Sequence, residues 1–269
     1  LAGALMNSGG ITDRLFDFAN KLVGHIRGGL AQVNVVASMI FAGMSGSAVA
    51  DAGGLGQVEI KAMIKEGFKP EFAAAVSAAS ATIGPIIPPS IPLVIYASTA
   101  NVSVGALFLG GIIPGVLMGF FLMGACYLIA LRHDFPRHAK ARLPDIARSF
   151  LRAFPSLMTP VIIVAGIALG VFTPTEAAAV AVGYAFVLSA LVYREVGWDS
   201  LSEVFSNVAK TSATILIILS AATLFSYVLT HSGLSKLAAD SLIGLTRDKH
   251  LMLLIINIVL LIVGCFMEP

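Results

Sequence analysis

Two short runs carry residue types that can hold ions. The first is Gly43-Met44-Ser45-Gly46-Ser47-Ala48, at the end of an apolar stretch. The second is Thr82-Ile83-Gly84-Pro85-Ile86-Ile87-Pro88-Pro89-Ser90-Ile91-Pro92. Its four prolines within eight residues cannot lie in one regular helix, because each lacks a backbone donor and clashes with the preceding turn. Breaks of this kind free carbonyl oxygens. Ser45, Ser47, Thr82 and Ser90 add hydroxyls. Gly43, Gly46, Gly84 and the residues before Pro85, Pro88 and Pro89 add carbonyls without helical partners. Hard cations take oxygen ligands, and unwound carbonyls at membrane depth form the usual sodium cage. Helices that restart after a break aim positive dipole ends at the same place, which suits a carboxylate. The chemistry expected is Na⁺ (sodium) held by neutral oxygens beside an organic anion.

Each run alone has a plainer reading. A Gly-Ser-Gly-Ser tract packs helices closely, and a proline-rich run makes a surface turn. Inside one repeat, the two together point to a site. Asp51, just downstream, reads as a helix cap or as a counter-charge. Glu176, after Thr173-Pro174-Thr175, reads as a capping acid. Glu59, Glu66 and Glu71, interleaved with Lys61, Lys65 and Lys69, read as a solvated helix face. Cys126 and Cys265 lie in apolar runs and read as buried thiols. No pair of titratable residues lies in or beside a span at catalytic spacing, so the sequence is not that of an enzyme.

The elements that must position these runs follow from composition. Of 269 residues, 57% are hydrophobic and 12% charged, against about 25% charged in a soluble domain. Mean hydropathy is +0.91. So much apolar surface cannot be hidden inside a water-soluble globule. The fold class is therefore an all-α polytopic membrane protein in a lipid bilayer. A net charge of +2 implies no nucleic-acid partner. Spans are expected at 104–131, 156–171, 175–193, 211–229 and 251–267. Gly110-Gly111 and Pro114-Gly115 predict a kink or a short extra helix within 104–131.

The remaining segments divide accordingly. Residues 1–40 hold the end of a preceding helix, a surface segment and the start of a first repeat. Residues 41–103 hold a hairpin and its broken partner helix. Between 132 and 155 runs a basic linker. Arg132, Arg137, Lys140, Arg142, Arg148 and Arg152 face only Asp134 and Asp145 there, which places it on the cytoplasmic side and suits a lipid-headgroup anchor. Residues 194–210 read as an amphipathic segment on the same surface. Residues 211–269 open a second repeat.

That repeat shows as an internal echo. Leu5-Met6-Asn7-Ser8-Gly9 resembles Leu229-Thr230-His231-Ser232-Gly233. At an offset of 223 residues, Asp17 falls on Asp240, Asn34 on Asn257 and Met44 on Met267. Ser45-Gly46 then aligns with Glu268-Pro269. Paired broken segments in two halves point to the midplane site of a secondary transporter, here with inverted topology.

At these motifs the sequence resembles the large membrane (DctM-like) subunit of TRAP transporters, the tripartite ATP-independent periplasmic systems. The matching stretches are 44–56 (MSGSAVADAGGLG), 66–71 (EGFKPE), 82–97 (TIGPIIPPSIPLVIYA), 109–115 (LGGIIPG) and 170–179 (GVFTPTEAAA). The resemblance implies Na⁺-coupled import of a small organic acid, such as a C4-dicarboxylate or a sialic acid, across the bacterial inner membrane. It implies a small membrane subunit and a periplasmic substrate-binding protein as partners. It also implies an inverted-repeat elevator fold with re-entrant hairpins. On that reading Ser45, Gly46, Ser47, Asp51, Thr82, Gly84, Pro85, Pro88, Pro89 and Ser90 line substrate and ion. Sodium falls to Gly43, Ser45, Ser47, Thr82, Gly84 and Ser90. The family's proteins are longer, so the sequence reads as an internal fragment that stops before the second hairpin. A Na⁺/carboxylate symporter of similar architecture working without a binding protein remains the alternative. An ion channel does not fit: Thr211, Ser212, Thr214 and Ser220 put polar groups on one span only.

Overall fold

A computed structural model describes residues 1–133, 135–194, 197–246 and 248–265. All regular elements among them are helical. The chain divides into two units, Leu1–Phe205 and Ser206–Pro269.

In the first unit, α1 (Ala2–Ser8) turns through Gly10, at φ 64°, into α2 (Ile11–Val23). α2 is amphipathic. Ile11, Leu15, Ala19 and Val23 are buried at four-residue spacing, while Asp17 and Lys21 pair on the other face. α3 (Leu30–Ser45) has 12 of its 16 residues buried, so it is enclosed on all sides. It packs against α2, α5 (Leu55–Lys65), α6 (Pro70–Ala81) and α8 (Val104–Arg132). The short α4 (Ala48–Gly53) links α3 to α5, and α7 (Ile91–Ala100) follows the proline run. α9 (Leu143–Ala168) and α10 (Pro174–Phe186) pair through Ile163, Ala177 and Ala181. A π-helical stretch, Val187–Val192, continues α10.

Local chemistry sets several of these boundaries. Thr173 and Glu176 form a reciprocal capping box at the start of α10, with Pro174 in the first turn. Glu176 is therefore the capping acid its spacing predicts. Gly46 ends α3 in the left-handed region, φ 63°.

Among the described residues, four helices are long and apolar enough to cross a membrane: Val104–Arg132, Leu143–Ala168, Pro174–Val192 and Ser200–His231. α13 (Lys249–Gly264), 16 residues long, is the described part of the expected fifth span. Met267, Glu268 and Pro269, the second break of the echo, lie outside the described residues. Three expectations change. The 104–131 run is one continuous helix of 29 residues with Pro114 inside it, rather than a helix plus a separate short one. α9 starts at Leu143, within the stretch expected to be linker, because Ser149, Ala153, Ser156 and Thr159 extend its buried face by whole turns. α11 (Trp198–His231) is continuous, so the 194–210 segment is not a separate surface helix. In the second unit, α12 (Leu234–Leu245) follows Gly233, at φ 73°, and precedes α13.

The basic linker is pinned onto the first unit. The Phe135 ring stacks on Phe68 at 4.7 Å and on Phe72 at 5.0 Å. His138 bridges Asn20 (2.6 Å) and Glu66 (2.7 Å) with its two ring nitrogens, and its backbone N–H donates to the Gly24 carbonyl. Gly29 allows this approach, because a side chain there would run into the Pro136 carbonyl. Cys126 is buried as expected, whereas Cys265 is exposed; α13 contributes no buried residue to cover it.

Candidate functional site: two broken segments in contact

The glycine-serine break and the proline break lie against each other. The Ile91 N–H donates to the Gly46 carbonyl at 3.2 Å, a backbone hydrogen bond from one run to the other. Contact is close enough to demand glycine. A Cβ on Gly46 would sit 2.5 Å from the Pro89 carbonyl oxygen, and one on Gly84 would sit 3.2 Å from that of Ser47. Gly43, one turn earlier, faces the ring of Pro160 from α9 and the Pro88 carbonyl. The carbonyls of Ser47, Pro88 and Pro89 thus converge on the seam between the runs.

Both serines that end the breaks work as helix caps. Ser47 accepts from the Ala50 N–H at the start of α4, and Ser90 accepts from the Leu93 N–H at the start of α7. The Ser90 hydroxyl also donates to the Pro85 carbonyl, which ties the proline run into a compact loop. Ser45 differs: its hydroxyl oxygen is buried and has no partner. A buried polar atom without a partner costs about 1–3 kcal/mol, and the Ser45 side chain lies toward Gly3 of α1. The seam offers neutral carbonyl oxygens, the donor type that suits a hard monovalent ion.

α8 holds the proline loop from behind. Gly111 meets the Ile86 carbonyl and Gly115 the Ile87 side chain, while Gly119 receives Met39 of α3. This four-residue spacing of glycines explains the Gly- and Pro-rich pattern in that span: it makes a groove for the loop.

Two expected site residues stand elsewhere. Thr82 is exposed, and its hydroxyl bonds back to the Ala79 carbonyl of its own helix. Asp51 is 1% exposed, and neither of its carboxylate oxygens accepts a hydrogen bond, so it is not a cap. It sits in a second buried polar cluster between α3, α4, α5 and α6. There Asn34 donates to Ser77 (2.6 Å) and accepts from Ser80 (2.7 Å), and Ser38 donates to Ser80.

Glu59 shares this region, and its placement corrects the reading of the charged stretch. It is fully buried with both oxygens unpartnered. Its neighbour Glu66 is half-buried against His138. The signal was present: Leu55, Glu59 and Met63 share one helical phase, and that phase faces α3 and α6. Neither acid lies on one of the four long helices. Burial pushes the Asp51 carboxyl up to about 7. Glu59 is driven well above the usual carboxylate range, by burial first and by the Asp51 charge second.

The whole sequence, residues 1–269, matches the family described as the tripartite ATP-independent periplasmic transporter, DctM component. Over its full length the chain is 45% identical to the sialic acid TRAP transporter large permease protein SiaM of Vibrio cholerae, covering 63% of that protein. It is 40% identical to the C4-dicarboxylate TRAP transporter large permease protein DctM of Pseudomonas aeruginosa, again across all of this chain and 63% of the relative. A third relative, the sialic acid TRAP transporter permease protein SiaT of Haemophilus influenzae, is 40% identical and 44% covered. The chain thus spans less than two thirds of the length of these relatives, and the stretch it shares with them contains both broken segments. It belongs to the DctM component family of tripartite ATP-independent periplasmic transporters.

Proposed function

We propose that this chain carries the first ion-and-substrate half-site of the large membrane subunit of a TRAP transporter. The protein imports a small organic acid across the bacterial inner membrane, driven by Na⁺. The observation that carries this reading is the seam where Gly46 meets Pro89 and Ile91, lined by backbone carbonyls. Ser47 and the carbonyls of Pro88 and Pro89 hold the ion, which screens the charge of the incoming anion. The N-terminal end of α7 adds its positive dipole end beside it. Such a site, buried within the α3–α7 body and backed by α9, suits an elevator in which this body moves as one piece. Relatives named as sialic acid and C4-dicarboxylate permeases support such acids as the substrate class; on this reading a periplasmic binding protein delivers the acid and a small membrane subunit completes the system.

The test is uptake of labelled sialic acid and C4-dicarboxylates by the full-length protein and its small subunit in proteoliposomes, with a sodium gradient and the matching binding protein. Uptake that needs both is the expected result, and Ser47→Ala should raise the half-saturating sodium concentration several-fold. Sodium-independent uptake removes the ion assignment. Sodium-driven uptake without the binding protein moves the protein to the simpler symporter.

A further inference from the structure

α8 has 29 residues, about 43 Å at 1.5 Å per residue, and outreaches a hydrocarbon core of about 30 Å. Its last turns therefore emerge at the headgroup level. Tyr127, Leu128 and Leu131 are exposed there, an aromatic and apolar collar of the kind found where a span leaves the bilayer. Beside that collar lies a cavity of about 260 Å³. Arg27 reaches it from the loop between α2 and α3, Arg132 and His133 from the end of α8, and Arg137 and the Phe135 ring from the linker.

Three guanidinium groups around one small cavity repel one another. Among the described residues none of the three takes part in an ion pair. Nor is the arrangement loose. Phe135 is stacked on two phenylalanines, and His138 is bonded at both ring nitrogens, so the linker holds Arg137 in place. The Arg27 carbonyl accepts from the Gln32 amide of α3, which fixes the other wall. A rigid cluster of arginines with no compensating acid among the described residues calls for an anion with several oxygens, and a phosphate fits the planar fork of arginine best.

We propose that this cavity is a binding site for the phosphate headgroup of an anionic phospholipid. Its acyl chains would lie along the exposed Leu128–Leu131 side of α8. A lipid is favoured over a free phosphate because the cavity opens at the membrane-facing end of a spanning helix. The basic linker that forms it also belongs to the surface facing the anionic leaflet. Such a lipid would bridge the α2–α3 loop and the linker.

The experiment is the thermal unfolding midpoint of the full-length protein in detergent. It is titrated with phosphatidylglycerol, with phosphatidylcholine of the same chains, or with inorganic phosphate. Phosphatidylglycerol should raise the midpoint by several degrees, with no shift from the other two. R27Q/R132Q/R137Q should weaken the half-saturating phosphatidylglycerol concentration at least tenfold. The single variant Arg27→Gln, which leaves the linker intact, should weaken it measurably. K140Q, on the same linker but outside the cavity, should leave it unchanged. Equal loss in K140Q, an undiminished response in the arginine variants, or an equal effect of phosphatidylcholine overturns the site. A full shift from inorganic phosphate alone overturns the lipid and leaves a soluble anion. The readout is binding, so it is independent of whether the protein transports sialic acid, a dicarboxylate or neither.

Discussion

α3 and α13 are the same length, 16 residues, and occupy matching places in the internal echo. Each follows a helix of similar size, 13 residues in α2 and 12 in α12, that opens after a left-handed glycine, Gly10 or Gly233. Yet α3 has 12 buried residues and α13 none. The enclosed helix is also the more polar one. Gln32, Asn34 and Ser38 are buried in α3 and bonded to partners on other elements or loops, whereas Asn257 is the one amide within α13 and is exposed. In water the reverse would hold. In a bilayer the solvent is as apolar as leucine, so polar side chains such as those of α3 retreat to where other helices can satisfy them. α3 is enclosed by α2 before it and by α5, α6 and α8 after it.

Three paired substitutions test that contrast by thermal unfolding in detergent, in order of expected effect. Phe41→Ala removes a side chain that is 1% exposed in α3 and should cost about 3–5 kcal/mol. Leu260→Ala, at a position 60% exposed in α13, should cost under about 0.5 kcal/mol. Equal losses would mean that α13 is enclosed after all. Next, Gly46→Val combines left-handed backbone strain with a clash against the Pro89 carbonyl. It should cost about 3 kcal/mol and abolish uptake. Gly233→Ala has the same backbone strain, but nothing within 4 Å meets its Cβ. Its cost should be about 1–2 kcal/mol. If the two behave alike, the close contact at Gly46 is not what constrains the seam. Smallest is the amide pair. Asn34→Ala strands Ser77 and Ser80 and should cost about 1–3 kcal/mol, whereas Asn257→Ala should be nearly neutral. A large effect at Asn257 would place a polar partner beside α13.

What could be read along the chain was local. The prolines at 85, 88, 89 and 92 forbid a helix wherever they sit, so the second break was legible, as was the first from its glycines. Thr173 and Glu176 cap each other across one turn and need no other segment. The apolar runs marked the long helices, although the true starts of α9 and α11 were hidden because their first turns are amphipathic rather than apolar.

What tertiary structure decided was which side of each element meets which other. The shared phase of Leu55, Glu59 and Met63 marks the inward side of α5, but that α3 and α6 cover that side was decided by tertiary packing. Thr82 looks like a ligand by type, but the turn that ends α6 directs its hydroxyl back onto Ala79. The seam itself joins Gly46 to Ile91 only because α5 and α6 form a hairpin that returns the chain to the end of α3. The arginine cavity draws on Arg27 and Arg137, which are brought together by the docking of Phe135 and His138. Residue type and local spacing determined where this protein breaks its helices and which oxygens those breaks expose. The packing of distant helices, a balance of many contacts that no single segment encodes, decided which of those oxygens face one another.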